Sequence, residues 1–318
     1  MSLPKLLEKI GGIQAQYAPS MYVGVWSRLE RLERADLTRA LGQRKVVQAT
    51  LMRATIHLVS ARDYWPFANA LRDHRRDWWI RINKGGVDRR TLDAAATRVR
   101  KRLAGGPMSR KELDELLGKQ LAKSFWMWID LVRVPPSGTW ERRRADLYGA
   151  AEEWIEPADV SPEEGVERLV RVYLSGFGPA SRKDVADWAG LPMRDVGPAL
   201  ERMRLRRFVD EDGGELLDLS RAPLPDADNP APVRFLPTWD AILLANVRRS
   251  GILPEKYRTR IFSTKTPHSF PVFLVDGAVA GTWKYDDGRI NLDPFHSLSR
   301  ATIRALNDEA ERLRAFHE

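Results

Sequence analysis

The chain has 318 residues, with 43% hydrophobic and 30% charged residues and a formal net charge of +9 from 52 Lys plus Arg against 43 Asp plus Glu. That balance describes a globular protein of more than one domain, excludes a disordered one, and favours a polyanionic partner. The absence of cysteine excludes disulfides, thiolate zinc sites and cysteine nucleophiles, and with no long apolar run and no signal-peptide layout the expectation is a cytoplasmic protein without membrane attachment.

At the N-terminus Leu3, Leu6, Leu7 and Ile10 recur at helical spacing. The helix is expected to end at Gly11-Gly12, since each glycine inside a helix costs about 1 kcal/mol relative to alanine. If the following Ile13-Gln14-Ala15-Gln16-Tyr17 is extended, Gln14 and Gln16 face one way and Ile13, Ala15 and Tyr17 the other. Two adjacent uncharged amides can hold a water molecule but cannot act as a strong base. From spacing alone, solvated or helix-capping glutamines are the commoner arrangement.

Residues 21–41 read as helical, with Leu29, Leu32, Leu37 and Leu41 on an apolar stripe. After Gly42, alternation predicts a strand over residues 55–60, which puts Arg53, Thr55 and His57 at alternate positions of one face. Arg53 and His57 then either contact phosphate or line the site, or they belong to a structural hydrogen-bond cluster. In residues 63–90, Arg72, Arg75, Arg76, Arg81, Lys84, Arg89 and Arg90 interleave with Trp65, Trp78 and Trp79. Basic and aromatic side chains together grip nucleic acid, although tryptophans at helical spacing are more often core.

An internal repeat organises the middle of the chain. Gly106-Pro107-Met108-Ser109-Arg110-Lys111-Glu112-Leu113 recurs as Gly178-Pro179-Ala180-Ser181-Arg182-Lys183-Asp184-Val185. Both copies place a serine to cap a helix with an acidic residue three positions on. In the second copy a helix breaks at Gly190-Leu191-Pro192, another follows to about Arg206, and a hairpin forms around Gly213-Gly214. That order is a winged helix. The first copy has the same order, with its wing in Asp130-Leu131-Val132-Arg133-Val134, a turn through Pro135-Pro136-Ser137-Gly138, and Thr139-Trp140-Glu141.

The expected fold is α+β, mainly α, with winged-helix units over residues 1–90, 91–157 and 158–222. Ser161-Pro162-Glu163-Glu164 starts a helix with a capping box. A linker rich in proline (Pro223, Pro225, Pro230, Pro232) leads to a C-terminal element over residues 232–318: a β-meander or small barrel with Asp276-Gly277 and Asp287-Gly288 turns, closed by a helix over residues 299–317.

The five histidines, His57, His74, His268, His296 and His317, fit no metal-ligand spacing. Neither a phosphate loop nor a dinucleotide fingerprint occurs, so no cofactor and no metal are expected. Asp240, within Phe235-Leu236-Pro237-Thr238-Trp239-Asp240, either supports a site from behind or caps a helix.

In order along the chain, Gly12-Ile13-Gln14-Ala15-Gln16, Met52-Arg53-Ala54-Thr55-Ile56-His57-Leu58-Val59, Gly178-Pro179 through Trp188-Ala189-Gly190-Leu191, and Phe235-Leu236-Pro237-Thr238-Trp239-Asp240 together resemble the winged-helix DNA glycosylases typified by AlkZ. The resemblance implies tandem winged helices forming a concave surface, with a β-rich element towards the C-terminus. It also implies that Gln14 and Gln16 position the hydrolytic water, as in that family's Gln-aliphatic-Gln motif. Members excise N7-alkylated guanines and some unhook interstrand crosslinks. The implied partner is double-stranded DNA carrying alkylated guanine, bound by a monomer.

Arg142, Arg143 and Arg144, beside the second wing, and Arg204 and Arg207, beside the third, join Arg53, Thr55 and His57 as candidates for DNA contact. Solvated charge runs explain the same arginines. No lysine sits in the glutamine motif to form a Schiff base, so a monofunctional glycosylase is expected. The alternative is a non-catalytic winged-helix DNA-binding protein or transcriptional regulator.

Overall fold

α1 (Leu3–Ile10) buries Leu3, Leu6 and Leu7, each contributing about 1.5–3 kcal/mol by leaving water. It ends at Gly11 in the left-handed region (φ 73°), whose N–H returns to the Leu7 carbonyl. A Cβ on Gly11 would fall 2.6 Å from the Trp188 ring, and one on Gly12 (φ 91°) would fall 2.7 Å from the Leu58 carbonyl oxygen. The glycine pair thus both stops the helix and lets the chain lie against its neighbours. This computed structural model describes residues 1–83, 86–226, 228–244, 251–263 and 269–318; Lys84 and His268 lie outside the described residues.

β1 (Ile13–Gln14) leads into α2 (Ala18–Trp26) and α3 (Arg34–Gly42), then β2 (Val46–Thr50), a 3-10 turn at Met52–Ala54, and β3 (Ile56–Ser60). The single helix expected over 21–41 is two helices, and Val46–Thr50 is a strand that was not expected. Its burial on both faces removes the alternation that marks a half-buried strand.

α4 (Ala61–Ile82) and α5 (Arg89–Leu103) follow, then β4 (Met108–Ser109), α6 (Arg110–Leu121), α7 (Phe125–Trp128), β5 (Leu131–Arg133), β6 (Leu147–Ala150) and α8 (Ala151–Trp154). The strand that returns beside β5 is β6, not Thr139-Trp140-Glu141. Pro135 and Pro136 supply no N–H to a ladder, and the Ser137 hydroxyl closes the loop by accepting from the N–H groups of Asp146 (2.7 Å) and Leu147 (3.0 Å). Trp140 is instead buried edge-on to Tyr22 and Phe316.

α9 (Pro162–Phe177), α10 (Arg182–Ala189), α11 (Met193–Arg202) and the hairpin β7 (Leu205–Val209) with β8 (Glu215–Leu219) reproduce the expected helix–helix–hairpin order. Capping boxes are formed at Ser109/Glu112, Ser161/Glu164 and Ser181/Asp184. β9 (Arg234–Leu236), α12 (Ala241–Leu244), α13 (Arg258–Ile261), β10 (Val272–Val275), β11 (Ala278–Asp286), β12 (Arg289–Pro294) and α14 (Arg300–His317) complete the chain. The meander is present with both Asp-Gly turns, and β9 adds a fourth strand in the order β12-β11-β10-β9.

The first six strands form one antiparallel sheet, ordered β1-β3-β2-β5-β6-β4. Strands assigned to the first two units are therefore hydrogen-bonded through β2 and β5. The largest of four apolar clusters among the described residues runs from Val47 and Phe67 through Val132 and Leu169 to Trp188 and Leu217. Buried ion pairs reinforce it. Arg168 of α9 grips Asp63 of α4 at 2.7 and 3.0 Å, and Arg72 and Arg75 of α4 converge on Asp130. Trp65 is only 8% exposed, so it belongs to this core and is not a base-stacking surface.

Candidate active site

β1 runs antiparallel to β3, with Gln14 opposite His57, and the Ala15 N–H donates to the Ile56 carbonyl at 2.7 Å. The extended register that the alternation requires therefore continues through Ala15, whose methyl group is buried in the core. The strand ladder fixes the backbone there. Gln14 and Gln16 line one cavity of about 580 Å³, together with Thr55, Trp239, Leu244, Phe262, Ser263 and Ser269. Among these described residues none is a carboxylate, lysine or histidine.

Each glutamine oxygen is oriented. Gln16 is exposed, and its Oε1 accepts the Ile56 N–H at 2.8 Å. Gln14 is 8% exposed, with Oε1 facing Arg53 Nη2 at 3.5 Å. Arg53 also donates to the Trp188 carbonyl, and burial lowers its pKa to about 10, so it remains charged at neutral pH.

Arg53 does not share a strand face with Thr55 and His57. It lies in the 3-10 turn with φ 51°, where Gly190 comes so close that a Cβ there would be 2.8 Å from the Arg53 nitrogen. Tertiary packing against the turn after α10 decides this conformation, which local propensity does not favour. His57 is 3% exposed, and its Nδ1–H donates to the Thr55 carbonyl at 3.1 Å. Burial, with the nearby Arg53 charge, pushes its pKa down to about 3. A buried, neutral ring is placed for structure and not for phosphate contact in this conformation.

The remaining candidates are dispersed. Arg143 donates to the Tyr17 hydroxyl at 3.1 Å and so lies beside the glutamine motif. Arg142 and Arg144 both pair with Asp146. On the hairpin, Arg204 is exposed and Arg207 pairs with Glu215. Asp240 is buried and takes a two-pronged contact from Arg28, in the turn after α2, at 2.7 and 2.9 Å, while its Oδ1 also accepts the Ile242 N–H at 3.1 Å. Asp240 thus caps the start of α12 while holding the segment that carries Trp239.

Trp239 itself was missed as a site residue. It holds φ 57°, a conformation a bulky side chain rarely adopts. The Ser269 hydroxyl accepts its N–H at 2.7 Å. No sequence signal marks a left-handed tryptophan; only the cavity wall it forms reveals it.

A family model described as DNA glycosylase AlkZ-like matches residues 7–316. The chain belongs to the AlkZ-like DNA glycosylase family. A curated relative, the interstrand DNA cross-link repair glycosylase of Streptomyces sahachiroi, is 23% identical over 97% of this chain and 89% of its own length. The solved Streptomyces sahachiroi DNA glycosylase AlkZ has the same fold, with a TM-score of 0.82 at 21% identity, covering 99% of this chain and 91% of that one. Within this AlkZ-like chain no described helix is long and apolar enough to cross a membrane.

Proposed function

We propose that this AlkZ-like protein hydrolyses the N-glycosidic bond of cationic N7-alkylguanine in double-stranded DNA, including guanines held in interstrand crosslinks, with water positioned by Gln14 and Gln16. The observation that carries the reading is the cavity in which both glutamines stand without an acid or base among the described lining residues. A neutral guanine would need protonation to leave, whereas an N7-alkylated guanine already carries the positive charge. Its departure as a neutral base leaves an oxocarbenium-like sugar. Water adds at C1′, and the proton it sheds passes to solvent.

The glutamines supply orientation and partial negative charge to that transition state, not proton transfer. Gln16 is preset by the Ile56 N–H, and Arg53 fixes the side-chain amide of Gln14. In this reading three winged-helix units, residues 1–90, 91–157 and 158–222, form a concave DNA-binding surface. The element of residues 232–318 closes the active site through Trp239. The protein acts as a cytoplasmic monomer, with Arg143 and Arg204 among the residues that meet phosphate.

The test is release of free base from a duplex containing N7-methylguanine or a nitrogen-mustard crosslink. Wild type should release it, and Gln14→Ala and Gln16→Ala should each slow release by about 100-fold while duplex binding stays within about twofold. If wild type binds duplex but releases nothing from several cationic lesions, the protein is a DNA-binding protein without this activity.

A further inference from the structure

A second cavity, of about 260 Å³, is lined by Tyr17, Trp140, Trp283, Tyr285, His317 and Arg143. It shares its partition with the glutamine cavity. Three chain segments give residues to both sides: Gln16 and Tyr17, Trp239 and Thr238, Ser269 and Pro271. Hydrogen bonds of 2.7 Å between the Ser20 and Thr238 hydroxyls and from the Trp239 N–H to the Ser269 hydroxyl hold that wall in place.

We propose that this aromatic cavity is a nucleotide subsite that takes one unstacked nucleobase, with the attached phosphate on Arg143. The occupant's being DNA rests on the glycosylase reading. Every nucleobase offers a π-face, so aromatic walls accept one without a hydrogen-bond code. Tyr285 and His317 already stack on each other, 4.2 Å between centroids at 21°. The His317 Nε2 atom is buried without a hydrogen-bond partner. Tyr17 is 42% exposed, and its hydroxyl accepts from Arg143. An aromatic ring and a guanidinium therefore stand together at the mouth, as a base and its phosphate require.

Two nucleotides can supply the base: the lesion itself, or its partner across the duplex. Fluorescence anisotropy with the full chain separates them. The duplexes carry 2′-fluoro-N7-methyldeoxyguanosine, in which the fluorine slows bond cleavage, opposite cytosine or opposite a tetrahydrofuran abasic analogue. Two further duplexes have the analogue in place of the lesion, or in both positions.

Wild type should bind the lesion–cytosine duplex about 5- to 150-fold tighter than the doubly abasic one. Tyr17→Ala and Tyr285→Ala should remove most of that preference, and the single-abasic duplex that has already lost it identifies the source. Equal weakening of all duplexes by both variants would overturn the subsite. Base release from the unfluorinated lesion is followed in parallel. Release without a Tyr17-dependent preference overturns the subsite and leaves the glycosylase; the preference without release does the reverse.

Discussion

His57 illustrates how a residue of a functional motif can be given over to folding. Its folded pKa, about 3, lies below the 6.5 of a free imidazole because burial, and then Arg53, disfavour the charged ring. Between those values the unfolded chain binds a proton that the native state refuses. Stability is therefore fully present above about pH 6.5 and is lost progressively as pH falls, by up to about 1.4 kcal/mol per unit. His317, pushed down to about 4 chiefly by burial, acts in the same direction. Ordinary carboxylates begin to titrate only below about pH 5, so the window from 6.5 to 5 belongs to the histidines. Urea midpoints measured at pH 7, 6 and 5 should fall for wild type, and the fall should be smaller in His57→Gln, with His317 and His74 supplying the rest, whatever that variant's stability at pH 7. An unchanged slope in the variant would mean that the ring is solvated.

At the scale of elements, the wall of the glutamine cavity depends on a clamp between the turn after α2 and the segment preceding α12. Asp240 has 1% of its side chain exposed and Arg28 has 21%, so removing one partner strands a buried charge or its binding site. Asp240→Ala should lower stability by about 3 kcal/mol. Asp240→Asn, which keeps the shape but loses the charge, should slow base release more than it weakens duplex binding, because it loosens Trp239 beside Gln14 and Gln16. An Asn variant that releases base at the wild-type rate would show that Trp239 needs no clamp. The sequence pattern revealed the third helix–helix–hairpin, the meander and the closing helix, because each carries local punctuation: capping serines, Asp-Gly turns, apolar spacing. It also paired Gln14 with Gln16, since alternation is a local rule. What was not legible depends on distant contacts. β2 is buried on both faces, Arg53 is turned out of the strand by Gly190, Trp140 is drawn into an aromatic cluster in place of a wing strand, and the aromatic cavity is assembled from both ends of the chain.

At the scale of the whole molecule, the +9 charge overstates what is available to DNA. Arg28, Arg72, Arg75 and Arg168 are committed to buried carboxylates, and Arg142 and Arg144 share Asp146. Arg143 is different: among the described residues it donates to the neutral Tyr17 hydroxyl, next to the glutamine motif. Each phosphate neutralised adds about −0.9 to the slope of log affinity against log salt. A footprint of several arginines then gives a slope of about −4 to −6, and a loss of about 250- to 4,000-fold in affinity between 50 and 200 mM salt. Arg143→Ala should reduce the magnitude of that slope by about one. Arg142→Ala and Arg144→Ala should each reduce it by less, because Asp146 already offsets their charge. A slope near zero in wild type would remove arginine–phosphate contact as the source of affinity. Equal effects of the three substitutions would show that DNA draws Arg142 and Arg144 away from Asp146, and the basic run would then act as one contact surface instead of through Arg143 alone.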